Sequence, residues 1–541
     1  MRTARPDDTP PHSLGGCILD SISSIIWAVS FVLVTVTVTG LSQRIGWSSP
    51  IVLVVIGGLC SFLPALPVIH IDSDAILFGV LPPLLFASAI RTPLTDIRAR
   101  GDSILLLSVG LVALTVVVVG LVTWWIIPAL SLAAALAFGA IVAPTDAVAV
   151  SAIARRVGLP RRVLAILETE SLLNDATALV ALNASIAAIL SFVSPWRVAG
   201  DFVIAVTVGV TFGLIVGFVM GFIRERTVSP VLDTSISLVV PYIAFIPTQL
   251  LGGSGILAVV VAGLYLGHRA PLIRSTESRI ATSINWRTIR FLLENAVFLF
   301  IGLSLSQIVG QMQQSGHTLW KVVGLSALVL AVLVLVRFAN VMSTLALYRI
   351  GTPRMRRTAW SWRTGVAVSS AGIRGVVTLA AAFLLPAATP ERELLQFLAF
   401  VVVIGSLLEG LALPAILRVL RLPPPSADQE RVEREQLLTE AQLAGLAQLD
   451  AEPIAPGQEH LVEELRRRGS SSIAVLGAAA PNGEPFVVTF ERLRQRMLQA
   501  ERTAVLTARS EGRFQDPAVR AVLGRIDAEE EALRQGVVAA R

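Results

Sequence analysis

Lysine occurs once in the 541 residues, at Lys321, tyrosine three times, and cysteine twice, at Cys17 and Cys60. The cysteines lie in a terminal segment and in an apolar run, without the paired spacing of a metal or redox site, so no disulfide framework is expected. Charge of either sign is scarce. Only 15% of residues are charged, against about 25% in soluble domains, while 54% are hydrophobic and the mean hydropathy is +0.73. That balance excludes an ordinary soluble domain and describes a polytopic membrane protein. No Walker phosphate loop is present, which argues against ATP hydrolysis within the chain. The formal charge of +6 comes from arginines scattered through short loops, not from one basic face, so nucleic acid is not expected as a partner. The opening MRTARPDDTPPHSLGG is proline-rich and of mixed charge, unlike a cleavable signal peptide, and the first apolar run is long enough to span.

A membrane core about 30 Å thick takes roughly 20 residues of apolar helix. Runs of that order fall near 22–40, 49–66, 74–90, 103–127, 131–153, 164–192, 202–223, 231–250, 254–267, 289–309, 322–348, 364–386 and 394–420, thirteen in all. Every second connection is rich in arginine: Arg91, Arg98 and Arg100; Arg155, Arg156, Arg161 and Arg162; Arg224 and Arg226; Arg269 to Arg290; Arg349 to Arg363. Basic short loops stay in the cytoplasm. The expected topology therefore has residues 1–20 as an extracytoplasmic tail, 21–421 as the transmembrane domain and 422–541 inside the cell. After Arg421 the run Leu422-Pro423-Pro424-Pro425 reads as a stiff linker, and the charged, leucine-spaced sequence beyond it as a cytosolic helical domain whose partner is unknown.

A charged side chain at the centre of a spanning helix costs about 2.5–3.5 kcal/mol on insertion scales. Five stand there: Asp146 in the fifth run, Glu170 and Asp175 in the sixth, Arg337 in the eleventh and Arg374 in the twelfth. In ETESLLNDATALV, residues 168–180, Glu170 and Asn174 are four apart, as are Ser171 and Asp175. On a helix they form two neighbouring rows of one face. Carboxylate, hydroxyl and amide oxygens together are the hard ligands an alkali cation needs in place of water. In GAIVAPTDAVAV, Pro144 precedes Thr145 and Asp146 and predicts a break in the fifth helix. In SSAGIRGVVTLAAAF, Gly372 and Gly375 flank Arg374 and loosen the twelfth. A guanidinium cannot neutralise itself, so Arg374 needs an acceptor, and Glu170 is the expected one. Arg337 is either a second partner of Glu170 or a structural arginine bonded to backbone carbonyls. Two interrupted helices in corresponding places fit an inverted-repeat transporter.

These residues resemble the bacterial sodium/proton antiporters of the monovalent cation/proton antiporter-1 group, relatives of the animal sodium/hydrogen exchangers. The resemblance rests on LPPLLFASA (81–89), APTDAVAV (143–150), ETESLLNDATALV and GIRGVVTLA (372–380), and covers residues 21–421. It implies an all-α homodimer of about thirteen helices per protomer, with inverted repeats and the fifth and twelfth helices crossing as broken helices. By matching positions, Asp175 is the ion- and proton-binding carboxylate, completed by Thr145, Asp146 and Ser171. Asn174 stands where electrogenic relatives carry a second aspartate, which implies electroneutral one-for-one exchange. Glu170 and Arg374 match a structural ion pair of the family.

The expected function is thus secondary transport of Na+, or of Li+ or K+, against H+ across a bacterial cell membrane, with no cofactor. A carboxylate taken out of water binds a proton more readily, and a single carboxylate holding either one proton or one cation couples the two fluxes. A cation channel is the chief competing reading, disfavoured because channels need rings of like groups or a continuous pore. An intramembrane enzyme using Asp146 and Asp175 as an acid/base pair is another.

Overall fold

The computed structural model describes residues 14–45, 49–63, 75–92, 106–146, 161–190, 195–314, 318–358, 360–421 and 486–510, with short pieces between 436 and 533. All regular structure among the described residues is helical. The helices are α1 (Leu14–Ile45), α2 (Ser49–Ser61), α3 (Leu81–Ala89), α4 (Leu111–Ile126), α5 (Leu132–Val142) and α6 (Arg161–Leu190). They continue with α7 (Pro195–Glu225), α8 (Pro230–Leu250), α9 (Gly255–Ile273), α10 (Thr276–Leu303), α11 (Leu305–Gln314) and α12 (Leu319–Ile350). The last are α13 (Pro353–Thr358), α14 (Trp362–Ser370), α15 (Val376–Phe383), α16 (Arg392–Leu420) and α17 (Phe486–Ser510). Among the described residues, eight helices are long and apolar enough to cross a membrane, and four shorter apolar stretches accompany them.

The chain divides into two compact units, residues 1–422 and 423–541. In the second, Arg494 on α17 holds Glu529 at 2.7 Å and Arg502 holds Glu530 at 2.6 Å, while Leu498 and Ile526 are buried.

Within the first unit, packing sorts the helices into two groups. In one, α7 lies along α9, α8 and α3 pack on α9, and α2 lies along α10; in the other, α5 packs between α4 and α6, and α12 against α4, α14 and α16. The groups meet where α6 touches α7 and α9 and where α10 touches α15. The α7–α9 pairing depends on small residues. A Cβ at Gly213 would come within 2.6 Å of the Ala258 carbonyl oxygen, so the two backbones lie in direct contact. The same group contains a buried charge cluster. Arg224, in the last turn of α7, donates to both carboxylate oxygens of Asp233 in the first turn of α8, at 2.6 and 3.2 Å. Arg274, the C-cap of α9, stands 3.9 Å from the same carboxylate. Cations at helix C-termini and an anion at an N-terminus oppose the helix dipoles and offset part of the desolvation cost.

Several boundaries differ from the sequence expectation, the first at α1, which begins at Leu14, inside the segment read as an extracytoplasmic tail. The run expected at 289–309 belongs to a helix that starts at Thr276, so Arg279, Arg287 and Arg290 are helical and not loop residues. Ser275 explains the early start: as N-cap it accepts from the Ser278 amide at 3.2 Å, with Glu277 in the first turn. The run expected at 131–153 is helical only to Val142, and 143–146 carry no regular structure. Its remainder lies outside the described residues.

Candidate functional site

The chain breaks helix twice, after Val142 and between Ser370 and Val376, and the two breaks meet. The Asp146 amide donates to the Ile373 carbonyl at 2.7 Å. Pro144 has no amide to donate, so α5 ends at Val142, with Ala143 as its C-cap, and its last carbonyls need partners from outside the helix. In the other segment, Gly372 and Gly375 leave room for neighbours: a Cβ at Gly372 would come within 2.6 Å of Arg337 Cδ, and one at Gly375 would overlap the Asp146 carboxylate. Asp146 therefore stands at the N-terminus of α15, the positive end of its dipole. Ser406 on α16 clamps the break from outside, accepting from the Arg374 amide at 2.9 Å.

Against this crossing α6 turns the face predicted from ETESLLNDATALV. Ser171 donates to the Thr145 carbonyl at 2.5 Å, and the Asn174 amide nitrogen is 3.3 Å from both Thr145 Oγ1 and Glu170 Oε1. Thr145, Glu170, Ser171 and Asn174 are all buried. Because the Asn174 nitrogen is used twice, its oxygen faces away from those partners. Among the described residues, Asn174 Oδ1 and Asp175 Oδ1 are buried oxygens with no hydrogen-bond partner. Unpartnered buried acceptors are rare because each forfeits its hydration. Two of them on adjacent residues of the helix that carries Ser171, with Asp175 in electrostatic interaction with Asp146, are oxygen ligands of the kind a desolvated cation takes. The five residues proposed for cation and proton binding, Thr145, Asp146, Ser171, Asn174 and Asp175, thus fall at one crossing.

The buried ion pair is not the expected one. Glu170 Oε1 accepts from Arg337 Nη1 at 2.6 Å, and both side chains are 1% exposed. Arg374 instead donates through Nε to the Val142 carbonyl at 3.3 Å and through Nη1 to the Gly372 carbonyl. The reason is helix termination. Each break strands carbonyls at the C-terminal end of a half-helix, where a cation is favoured. Arg374 occupies the end of α5, while Arg337 uses Nε and Nη2 on the Val368 carbonyl of α14, at 3.2 and 3.0 Å, and has Nη1 left for Glu170. Both readings of Arg337 therefore hold at once.

Sequence reasoning missed three charged residues here. Glu409 on α16, one turn beyond Ser406, interacts with Arg374 and Arg337. Arg290 and Glu294 on α10 form an ion pair at 2.6 Å and interact electrostatically with Asp175 and Asp146. The signal was available: Glu294 interrupts FLLENAVFLFIGL and Glu409 interrupts GSLLEGLAL, as Asp175 interrupts its own apolar run. Arg290 is concealed because it closes the basic stretch Arg269 to Arg290, which reads as a connection.

Discontinuous helices that meet inside an apolar helical bundle, with guanidinia on their carbonyl ends and bare oxygens beside them, define a membrane secondary transporter of the crossed broken-helix class. The chain belongs to the sodium/hydrogen exchanger family, whose transmembrane profile matches residues 30–419. It is 30% identical over 531 residues to a Na+/H+ exchanger of Mycobacterium tuberculosis, covering 94% of this chain and 95% of the relative. A sodium, potassium, lithium and rubidium/H+ antiporter of Bacillus subtilis is 32% identical over 385 residues, 66% of this chain and 56% of that protein. The fold matches that of the sodium proton antiporter MjNhaP1 from Methanocaldococcus jannaschii with a TM-score of 0.58 at 20% identity, over 74% of this chain and 99% of that one. It is a family of transporters, not enzymes.

Proposed function

We propose that the protein exchanges one monovalent cation for one proton at Asp175. The observation that carries this reading is the buried, unpartnered Asp175 Oδ1 on the helix α6 that meets the crossing of two broken helices, in electrostatic interaction with Asp146. Asp175 holds either a proton or a cation. Thr145, Ser171 and Asn174 shape the oxygen shell, and Asp146 sits opposite on the second break. The gradients supply all the energy, so no cofactor is required. Alternating access follows from movement of the α5–α6 group against the other, which carries the loaded carboxylate past a barrier. In this reading the transporter is a homodimer of thirteen-span protomers in a bacterial cell membrane, with the amino terminus outside and the carboxyl terminus in the cytoplasm. The alternation of basic and neutral connections supports that orientation.

Sodium is the proposed cation. The Bacillus relative, named for four alkali cations, supports a second reading in which lithium and potassium also bind. Purified protein in liposomes with a preset pH gradient tests both: sodium is expected to dissipate the gradient, and the lithium and potassium arms report selectivity. No cation-dependent dissipation with any of them would overturn the reading. Asn174 adds no second carboxylate to α6 beside Asp175, so exchange is expected to be unaffected by an imposed membrane potential. A flux driven by potential alone would contradict one-for-one exchange.

Gly375 provides a geometric test. Any side chain there displaces the Asp146 carboxylate. Gly375→Ala is expected to lower exchange on the order of tenfold, as sub-ångström misplacement of a site group does elsewhere. Wild-type exchange by the variant would show that Asp146 need not lie where the crossing puts it.

A further inference from the structure

Two guanidinia share one carboxylate where α7 ends, α8 begins and α9 ends. Arg224 sets the Nε–Nη2 edge of its guanidinium on Asp233, at 2.6 and 3.2 Å. Arg274 reaches the same carboxylate only with Nε, 3.9 Å from Oδ2, which is beyond hydrogen-bond range. The side chains of Arg224, Arg274 and Asp233 are 0%, 2% and 1% exposed. Two cations thus face one anion out of water, while Glu225 at the end of α7 and Glu277 at the start of α10 are exposed. Arg224 Nη1, Arg274 Nε and Arg274 Nη2 are buried and have no hydrogen-bond partner among the described residues. Buried N–H groups are almost always paired, and those of a charged group are the costliest to strand. The helix dipoles offset part of the surplus charge and leave the three donors bare. These donors and this charge call for an acceptor that is itself negative.

We propose that Arg274, with Arg224 beside it, binds a phosphate group, either free or on a lipid headgroup. The bare edge of Arg274 gives the class of ligand. Its Nε–H and Nη2–H bonds lie parallel and match two oxygens of one oxyanion, through the same edge that Arg224 uses on Asp233. Water brings no charge, and a halide offers a single centre to a two-pronged donor. Three bare N–H groups suit the several oxygens of a phosphate better than the two of a carboxylate. Arg224 is in the last turn of α7 and Arg274 is the C-cap of α9, the level at which a helix leaves the apolar core. Basic pockets between helices at that level take phosphate headgroups. Bound there, a phosphate ties the ends of α7, α8 and α9 into one charge-balanced unit.

Thermal unfolding of the full-length protein, purified in detergent without phosphate, tests the site without reference to exchange at Asp175. Inorganic phosphate, titrated against chloride at constant ionic strength, is expected to raise the melting temperature of the wild type saturably, by about 2–5 °C. Arg274→Gln removes the bare fork and leaves the Arg224–Asp233 pair balanced, so the rise should disappear. Without phosphate this variant should melt no lower than the wild type, because the surplus buried charge is gone. A second arm adds phosphatidylglycerol or the phosphate-free diacylglycerol to the micelles. A rise with phosphatidylglycerol alone, abolished by Arg274→Gln, assigns the site to a headgroup; a rise with inorganic phosphate assigns it to the free ion. A purely structural triad would give no response to either source and a lower melting temperature in Arg274→Gln, and that result overturns the proposal. So does an equal rise in wild type and variant, which is a general salt effect. If Arg274→Gln does not assemble, Arg274→Lys decides: it keeps the charge without the fork and should need at least about tenfold more of the effective phosphate source for half the effect. An unchanged half-maximal concentration in the lysine variant refutes the site.

Discussion

Asp175→Asn is expected to abolish sodium-dependent dissipation of a pH gradient while leaving a folded protein. Asparagine is nearly isosteric with aspartate, and Asp175 Oδ1 has no hydrogen-bond partner among the described residues, so the substitution breaks no hydrogen bond at that oxygen. What it removes is the charge that a proton or a cation neutralises. An amide neither binds a proton at physiological pH nor supplies the negative charge that replaces a cation's hydration. The loss should reach the detection limit, at least about 100-fold, because the other carboxylate on this face of α6, Glu170, is taken up by Arg337. Asp146 is across the crossing, at the N-terminus of α15. Substantial exchange by the purified variant would move the ion site elsewhere, with Asp146 the first candidate. The wild type carries a companion signature. If proton and cation compete for one carboxylate, the apparent KM for sodium should rise as pH falls, approaching tenfold per pH unit on the acid side, with maximal rate unchanged. A KM independent of pH would argue for separate proton and cation sites.

Glu170→Gln is expected to act on stability more than on binding. Glu170 and Arg337 are both 1% exposed and 2.6 Å apart, and the carboxylate also accepts from Asn174 at 3.3 Å. Neutralising one partner leaves an unpaired guanidinium in an apolar bundle, at a cost of about 3–5 kcal/mol. A fall in melting temperature of roughly 5 °C or more in detergent, with reduced folded yield, is the expected result. The identity of the partner is separately testable. Glu170→Gln and Arg337→Gln should be strongly non-additive, since removing both charges leaves neither stranded, while Glu170→Gln and Arg374→Gln should be closer to additive. The reverse ranking would restore the pairing that the sequence pattern favoured. Exchange should also weaken in Glu170→Gln, because Glu170 orients the Asn174 amide and so the direction of its free oxygen.

Much of this was legible without coordinates because it depends on residue type and local spacing. An intramembrane charge is costly wherever it stands, so Asp146, Glu170, Asp175, Arg337 and Arg374 declared themselves against an apolar background. Helical periodicity alone put Glu170, Ser171, Asn174 and Asp175 on one face, and Pro144 marked a break because its missing amide is a covalent fact. The start of α10 was misplaced because Arg279, Arg287 and Arg290 read as a loop, whereas the Ser275 cap begins the helix before them. Glu294 and Glu409 obeyed the same rule as Asp175 but lacked a flanking cluster to draw notice.

The sequence by itself determined the class of protein, the apolar helices, the positions of both interruptions and the chemistry of the α6 face, since each follows from local composition and the chain's own geometry. Only the tertiary structure decided which charges meet. Arg337 and Arg374 carry the same guanidinium, and which of them reaches Glu170 depends on where the helix ends lie: Arg374 is taken up by the Val142 and Gly372 carbonyls left bare by the breaks, and Arg337, anchored on Val368, has one nitrogen left for the carboxylate. Likewise nothing local to RFLLEN places Arg290 and Glu294 near Asp175. The packing of α10 against α3 and α15 does so, through contacts between segments distant in the chain.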